Sequence, residues 1–167
     1  METATKKQPI KRDPNLVPLS REHHFGLLFA WKLKQGLAKN ASLDIMRDYV
    51  LYFWDAGLQE HFLAEEDLLL SILPATDLER NKILKEHETV RKLIDQIEAK
   101  TDFSEAAFEK LHTYLTDHIR YEERMFFPYL EQQANAEQLA KIGKHLTEEH
   151  AEPEDNFQPE FWVSKKK

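Results

Sequence analysis

Cysteine is absent from the 167-residue chain, which excludes disulfide bonds, thiol catalysis and every cysteine-ligated metal or iron–sulfur site. Glycine (4) and proline (7) together reach about half the usage of an average protein, which favours long helices and few connections. No stretch approaches the roughly 18 uninterrupted apolar residues of a membrane span, and residues 1–14 lack the apolar core of a signal peptide. We therefore expect a cytoplasmic protein with no membrane partner.

Excess positive charge is lacking as well. The chain has 23 Lys and Arg against 30 Asp and Glu, a net charge of −7, which predicts no nucleic-acid partner. Neither a phosphate-binding glycine loop nor a hydrolase triad is recognisable. What stands out instead is histidine, with eight residues that lie mostly inside segments of helical apolar periodicity.

The apolar periodicity and the capping residues predict an all-α chain with no strands. Ser20, Ser42, Asp77 or Thr76, and Ser104 are the expected N-caps, Pro74 ends the second helix, and Pro128 is expected to kink or stop the fourth. The predicted helices cover about 20–39, 42–73, 77–100, 104–133 and 136–149. Because the connections are short, we expect an up-down-up-down four-helix bundle with an added short C-terminal helix.

This organisation divides the chain into an extended N-terminal arm (1–18), a bundle (19–133) and a C-terminal helix with its tail (134–167). The tail carries three large aromatic residues, Phe157, Phe161 and Trp162. We expect it to pack back on the body or on another subunit, as in a homodimer.

An internal repeat is the strongest pattern in the chain. Residues 61–66 read His-Phe-Leu-Ala-Glu-Glu and residues 118–123 read His-Ile-Arg-Tyr-Glu-Glu, each followed by apolar residues and a proline. The first and third predicted helices share a Glu-His pair, Glu22-His23 and Glu86-His87. The chain is thus two helix pairs, each with one histidine in its first helix and a His-x3-Glu motif in its second.

Residues four apart share one face of a helix, so His61 and Glu65 are expected to point the same way, as are His118 and Glu122. Each of these faces is otherwise apolar, with Met125 among the residues expected beside the second pair, and His87 lies on the inner face of the third helix. A buried carboxylate without a partner would cost several kcal/mol. A metal bound by imidazole and carboxylate groups would compensate for that cost.

The first predicted helix offers two adjacent histidines. Apolar residues follow His24 at +3 and +7, as they follow His87, which favours His24; His23 matches the Glu-His pair and stays the alternative. Glu66 and Glu123 lie about 100° around the helix from the preceding carboxylates and are expected to be outer partners or solvated side chains. His112 is expected on the surface, and His145 and His150 outside the core metal site.

These motifs resemble the hemerythrin-like family, also called the HHE cation-binding domain, over about residues 19–131. The resemblance implies a non-haem di-iron centre in a four-helix bundle, bridged by two carboxylates and an oxygen species. The implied ligands are His24, His61, Glu65, His87, His118 and Glu122, with Glu65 and Glu122 as the bridges.

The chain departs from the oxygen-carrying hemerythrins at two positions. Ile83 stands where they have a fifth histidine, and their last carboxylate is an Asp five residues after the histidine, whereas here Glu122 is at four and Glu123 at five. The choice between Glu122 and Glu123, and between one metal and two, therefore stays open. Iron, manganese and zinc all suit these ligand types.

Three functions follow as hypotheses. The first is a di-iron protein that binds or senses a small oxidant such as O2, NO or peroxide. In the second, the same centre repairs iron centres or reduces NO or peroxide, with electrons from a redox partner protein. The third is a metal-free helical interaction module.

Overall fold

The computed structural model describes residues 11–149 and 154–163. These residues form five helical segments and no strand, which confirms the all-α class. The segments are α1 (Val17–Ala38), α2 (43–72), α3 (Leu78–Ala99), α4 (105–133) and α5 (Ala136–Glu149). In the described part of the chain, no helix combines the length and the apolar character needed to cross a lipid bilayer. Residues 1–10 of the expected arm, and His150, lie outside the described residues.

Two of the helices are not uniform. The α2 segment contains π-helical turns at Trp54–Leu58 and Glu65–Leu69 before it ends in a 3-10 turn at Leu70–Ile72. The α4 segment has one at Glu122–Phe126 and then continues as α-helix over Phe127–Gln133. The early stop considered at Pro128 therefore does not occur. Pro128 lies in the first turn of the resumed helix, where its missing N–H and fixed φ are tolerated.

The helix starts follow the predicted capping residues with one exception. Side chains of Ser42, Asp77 and Ser104 accept hydrogen bonds from backbone N–H groups three residues ahead. The predicted cap at Ser20 is wrong, because α1 begins earlier, at Val17, with a proline in its first turn. The hydroxyl of Ser20 donates instead to Oε2 of Glu123, 3.1 Å away.

Two separate apolar clusters form the core. The first contains Phe29, Phe53, Phe62, Val90 and Leu115, together with their buried neighbours. The second contains Leu19, Leu69, Ile83, Phe126 and residues of α5. In each of α1 to α4, the histidine and glutamate motif lies at the boundary between the two clusters along the chain. The motifs therefore form a polar layer between two apolar ones.

The tail packs back on the body, one of the two locations expected for it. The rings of Phe157, Phe161 and Trp162 surround Tyr49, with centroid distances of 5.1, 5.3 and 5.8 Å. Asp155 accepts hydrogen bonds from the ammonium of Lys32 at 3.1 Å and from the hydroxyl of Tyr49 at 2.5 Å. An ion pair and an aromatic cluster thus hold residues 154–163 against α1 and α2.

Candidate metal centre

The innermost part of the polar layer consists of two carboxylates and four imidazoles, all buried. Glu65 and Glu122 are 0% exposed, and the four histidines, His23, His61, His87 and His118, are at most 4% exposed. Their ligand atoms form two groups, each within 4.8 Å: one of Glu65, His87, His118 and Glu122, and one of His23, His61 and Glu65. Because Glu65 belongs to both groups, the two groups form one continuous cluster.

Glu65 and Glu122 lie at the centre of this cluster, and each faces imidazoles from more than one helix. The Nε2 atoms of His61 and His87 lie 3.0 and 3.3 Å from Oε1 of Glu65. Oε1 of Glu122 contacts Nε2 of His118 and lies 3.6 Å from that of His87. Nε2 of His23 lies 3.8 Å from Glu65 and 4.0 Å from Glu122. All four Nε2 atoms therefore face the two carboxylates.

Each histidine also meets a second carboxylate, on its outer side and from another helix. Nδ1 of His61 lies 2.7 Å from Glu22, and Nδ1 of His118 lies 2.8 Å from Glu86. The other two pairs join Nδ1 of His87 to Glu66 at 2.7 Å and Nδ1 of His23 to Glu123 at 3.2 Å. The contacts of His61, His87 and His118 are hydrogen bonds, whereas that of His23 is an ion-pair contact only. An imidazole that donates Nδ1–H to a carboxylate presents the lone pair of Nε2 inwards, as metal-ligating histidines do.

The outer pairs reproduce the internal repeat of the sequence. In each helix pair, the Glu of the Glu-His opening meets the histidine of the following helix: Glu22 with His61, and Glu86 with His118. The second Glu of each His-x3-Glu-Glu motif, Glu66 or Glu123, meets the histidine of the Glu-His opening in the other pair. Every charged residue of the repeated motif thus has a position in the cluster.

Electrostatic attraction outweighs burial at His23, His61 and Glu65. Burial opposes a charge on His23, but the carboxylates of Glu123 and Glu65 raise its pKa to about 9. The pKa of His61 rises in the same way to about 10, through Glu65 and Glu22. Burial alone would raise the pKa of Glu65, yet His61 and its other neighbours hold it well below the usual range. The carboxylates thus create a buried environment that attracts positive charge.

Several inward atoms lie within ion-pair distance of one another but make no hydrogen bond within the described part of the chain. They are both carboxylate oxygens of Glu65, both of Glu122, and the Nε2 atoms of His23, His87 and His118. Buried polar atoms without partners are rare, and a bound ion is one of their recognised explanations. Imidazole nitrogen and carboxylate oxygen are suitable ligands for iron, manganese and zinc. The donor set therefore fits a metal centre.

The structure brings together five of the six side chains expected from the sequence, and it corrects the first-helix position. His24 is exposed, whereas His23 is buried in the cluster. The buried stripe of α1 passes through Leu19, His23, Gly26 and Ala30, at the spacing of a packed helix face. One residue further along, His24 is rotated by about 100° towards solvent. Trp31, the apolar residue seven positions after His24, is 49% exposed as well.

The structure also shows where other residues considered near the site lie. Of the two candidates for the last carboxylate, Glu122 is buried at the centre of the cluster and Glu123 lies on its outer side. Met125 was expected beside the second motif but is 57% exposed. His112, expected on the surface, is buried beside Glu109 and away from the centre. The hydroxyl of Tyr121, next to the second motif, donates to Glu79.

The contacts of Glu22 and Glu86 with histidines of the cluster were not predicted from the sequence. The sequence identified Glu22 and Glu86 only as the first residue of each Glu-His pair. In the structure, each accepts a hydrogen bond from the histidine of the following helix. The signal was present, because both recur at the same place in the two halves of the repeat.

Comparison with known protein families bears on the second half of the chain. Residues 79–156 match the hemerythrin HHE cation-binding domain. This confirms the resemblance seen in the motifs. The matched segment includes Glu86, His87, His118 and Glu122, and the cation binding of the HHE domain agrees with the His and Glu groups that could hold a metal. No curated protein and no solved structure matches the chain significantly.

Proposed function

We propose that the chain is a non-haem di-iron protein whose centre binds or senses a small oxidant such as O2, NO or peroxide. The observation that carries the proposal is the set of inward carboxylate and imidazole atoms that make no hydrogen bond. One metal ion would be held by His23 and His61 and the other by His87 and His118, with Glu65 and Glu122 between them. The distances support this division, because Glu65 and Glu122 each face imidazoles of both sets.

Two imidazoles and two shared carboxylates give each metal ion four protein ligand groups under this proposal. Iron centres that react with small molecules keep coordination positions open for them. When bound, iron ions held by these residues would supply the electrons that an oxidant accepts. The outer carboxylates Glu22, Glu66, Glu86 and Glu123 hold the histidines in the orientation that directs Nε2 inwards.

A mainly apolar cavity lies beside His23 and His61, and it is an argument for a small uncharged ligand. Its other lining residues include Gly26, Phe53, Leu58, Phe62, Leu115 and Ile119. At Gly26 a Cβ atom would lie 2.7 Å from Cδ1 of Ile119, so glycine allows α1 and α4 to approach closely here. Apart from Glu22, His23 and His61, the cavity lining is apolar, and its room for roughly one water-sized molecule favours an uncharged diatomic ligand over a larger charged substrate.

The proposed scaffold is an up-down-up-down bundle over residues 19–133, with the C-terminal helix and tail (134–167) added to it. The order of the core residues along the chain supports this topology. In α1 and α3 the second apolar cluster comes before the first, and in α2 and α4 it comes after. Successive helices that cross the polar layer in alternating directions would bring the four motifs together.

Iron content and optical spectra of matched variants test the proposal. We expect wild-type protein from iron-supplemented medium to show near-ultraviolet ligand-to-iron charge-transfer bands that change on addition of azide. His23→Ala and Glu65→Ala should lose iron, whereas the matched control His24→Ala should retain it because that side chain is exposed. Circular dichroism of each variant verifies that the helices remain.

Two results would contradict the proposal at different levels. Full iron retention in both His23→Ala and Glu65→Ala would refute the assigned centre. If iron-loaded protein gives no spectral change with O2, NO or peroxide, oxidant binding is wrong while metal binding stands.

A further inference from the structure

Three of the outer carboxylates, Glu66, Glu86 and Glu123, are themselves held by cations. Arg91 donates to Glu66 at 2.8 Å, and Lys82 donates to Glu86 at 2.5 Å, both from within α3. The carboxylate of Glu123 is held by Arg12, at 3.0 Å. Arg12 differs from the other two cations because it belongs to the segment before α1, outside the helices.

The side chain of Arg12 is largely shielded from solvent and makes an extensive set of contacts with α4. Its Nη2 atom donates to the backbone oxygen of Glu123 at 2.5 Å and to Oε2 of the same residue at 3.0 Å. Its Nη1 atom donates to Glu131 at 3.2 Å, and its guanidinium lies 5.0 Å from the ring centre of Phe127. The Arg12 side chain is only 9% exposed. A planar guanidinium suits this arrangement, because its fork can donate to several acceptors at once.

Two of the groups that Arg12 holds are the neighbours of His23. Oε1 of Glu123 lies 3.2 Å from Nδ1 of His23, and the ring of Phe127 stacks on the imidazole at 5.3 Å with an interplanar angle of 17°. The contact of His23 with its outer carboxylate is longer than the other three, which are 2.7 to 2.8 Å. The orientation of His23 therefore depends on how firmly Glu123 and Phe127 are held.

We propose that Arg12 is a positioning residue for the candidate metal centre, which fixes Glu123 and Phe127 against His23. This inference rests on the proposed function, because it concerns the affinity of the metal held by His23 and His61. The segment before α1 would then control one metal position selectively. The position held by His87 and His118 would depend instead on cations within α3.

Zinc affinity of full-length variants tests the proposal, with Zn²⁺ as the probe in competition with a chromogenic chelator. Arg12→Gln should weaken one of two zinc sites about 10-fold, the lower end of the effect seen when groups behind metal-ligating histidines are changed. Arg12→Lys should lie between wild type and Arg12→Gln, because a single ammonium retains the charge but not the fork. Arg91→Gln should weaken the other site.

Arg47→Gln is the matched control. Like Arg12, Arg47 donates to backbone carbonyls, in this case those of Ile97 and Glu98 near the end of α3. Its hydrogen bonds involve no residue of the candidate metal centre. We expect both zinc sites to keep their affinity in this variant. Thermal unfolding of the metal-free proteins measures the purely structural contribution of each arginine.

If wild type has two zinc sites and Arg12→Gln leaves both affinities unchanged, the positioning role of Arg12 is refuted while the proposed function stands. This holds even if the metal-free variant is less stable. Equal weakening of both sites by Arg12→Gln also refutes it, because the predicted effect is selective. A wild-type chain that binds no metal would refute the proposed function and this inference together.

Discussion

Asp155→Asn is a sensitive perturbation of the contact between the C-terminal tail and the helices. The Asp155 carboxylate is 7% exposed and is paired with Lys32 at 3.1 Å. Lys32 is itself only 7% exposed, so neither charge is well solvated. The asparagine amide can still accept from the Tyr49 hydroxyl, which leaves the lost charge as the main change.

The expected loss of stability follows from the buried ammonium that remains. Removing one partner of a buried ion pair typically costs about 3–5 kcal/mol, because the other charge is left without compensation. Nζ of Lys32 also lies 4.1 Å from the ring centre of Trp162. A cation–π contact of this kind can offset roughly 1 kcal/mol of the loss. We therefore expect a net destabilisation of about 2–4 kcal/mol, which lowers the Tm by about 4–16 °C in a chain of this length.

Thermal unfolding of metal-free protein, followed by circular dichroism, measures this loss. Tyr49→Phe should cost less, about 1 kcal/mol, because the ion pair of Asp155 with Lys32 remains. Asp48→Asn is the matched control: its pair with Arg47 spans 3.8 Å and its side chain is 65% exposed, so we expect nearly the wild-type Tm. An Asp155→Asn variant as stable as that control would refute the reasoning.

Three further changes test other parts of the structure. Glu86→Gln removes the charge behind His118 and should lower zinc affinity about 10–100-fold in a chelator competition, whereas Glu88→Gln, exposed on the same helix, should not. Phe62→Ala should cost about 3–5 kcal/mol in urea unfolding, because this 1% exposed ring stacks on His87 at 4.0 Å; a wild-type midpoint would contradict the packing account. Asp77→Ala should cost about 1 kcal/mol in the same assay through loss of the 2.8 Å cap on the Arg80 N–H, and an unchanged value would argue against the cap.

The sequence predicted much of the candidate site because the relevant information is local. The i, i+4 spacing puts His61 with Glu65, and His118 with Glu122, on one face of any α-helix. The internal repeat then relates the two helix pairs without knowledge of their packing. Capping residues such as Ser42 and Ser104 likewise act on their own first turn, which explains why those helix starts were predicted well.

The features that were missed depend on contacts between helices. Whether His23 or His24 faces inwards is decided by the rotation of α1, which Gly26 and the residues near it fix by packing against α4. The π-helical turns that begin at Glu65 and Glu122 were not predicted, since periodicity alone does not distinguish a widened turn from an ordinary one. Such turns often accompany functional sites. The outer pair of Glu22 with His61 joins separate helices, so only the fold reveals its geometry.

Metal stoichiometry is the most direct test of the central claim, that the polar layer is a two-metal centre. Metal-free protein would be loaded anaerobically with Fe(II), and in parallel with Mn(II) or Zn(II), then freed of excess metal and analysed by inductively coupled plasma mass spectrometry. The account predicts close to two ions per chain for at least one of these metals, in line with carboxylate-bridged bundle sites. A single ion per chain would contradict the division of the histidines into two sets. If folded protein retains none of the three metals, the metal centre itself is refuted.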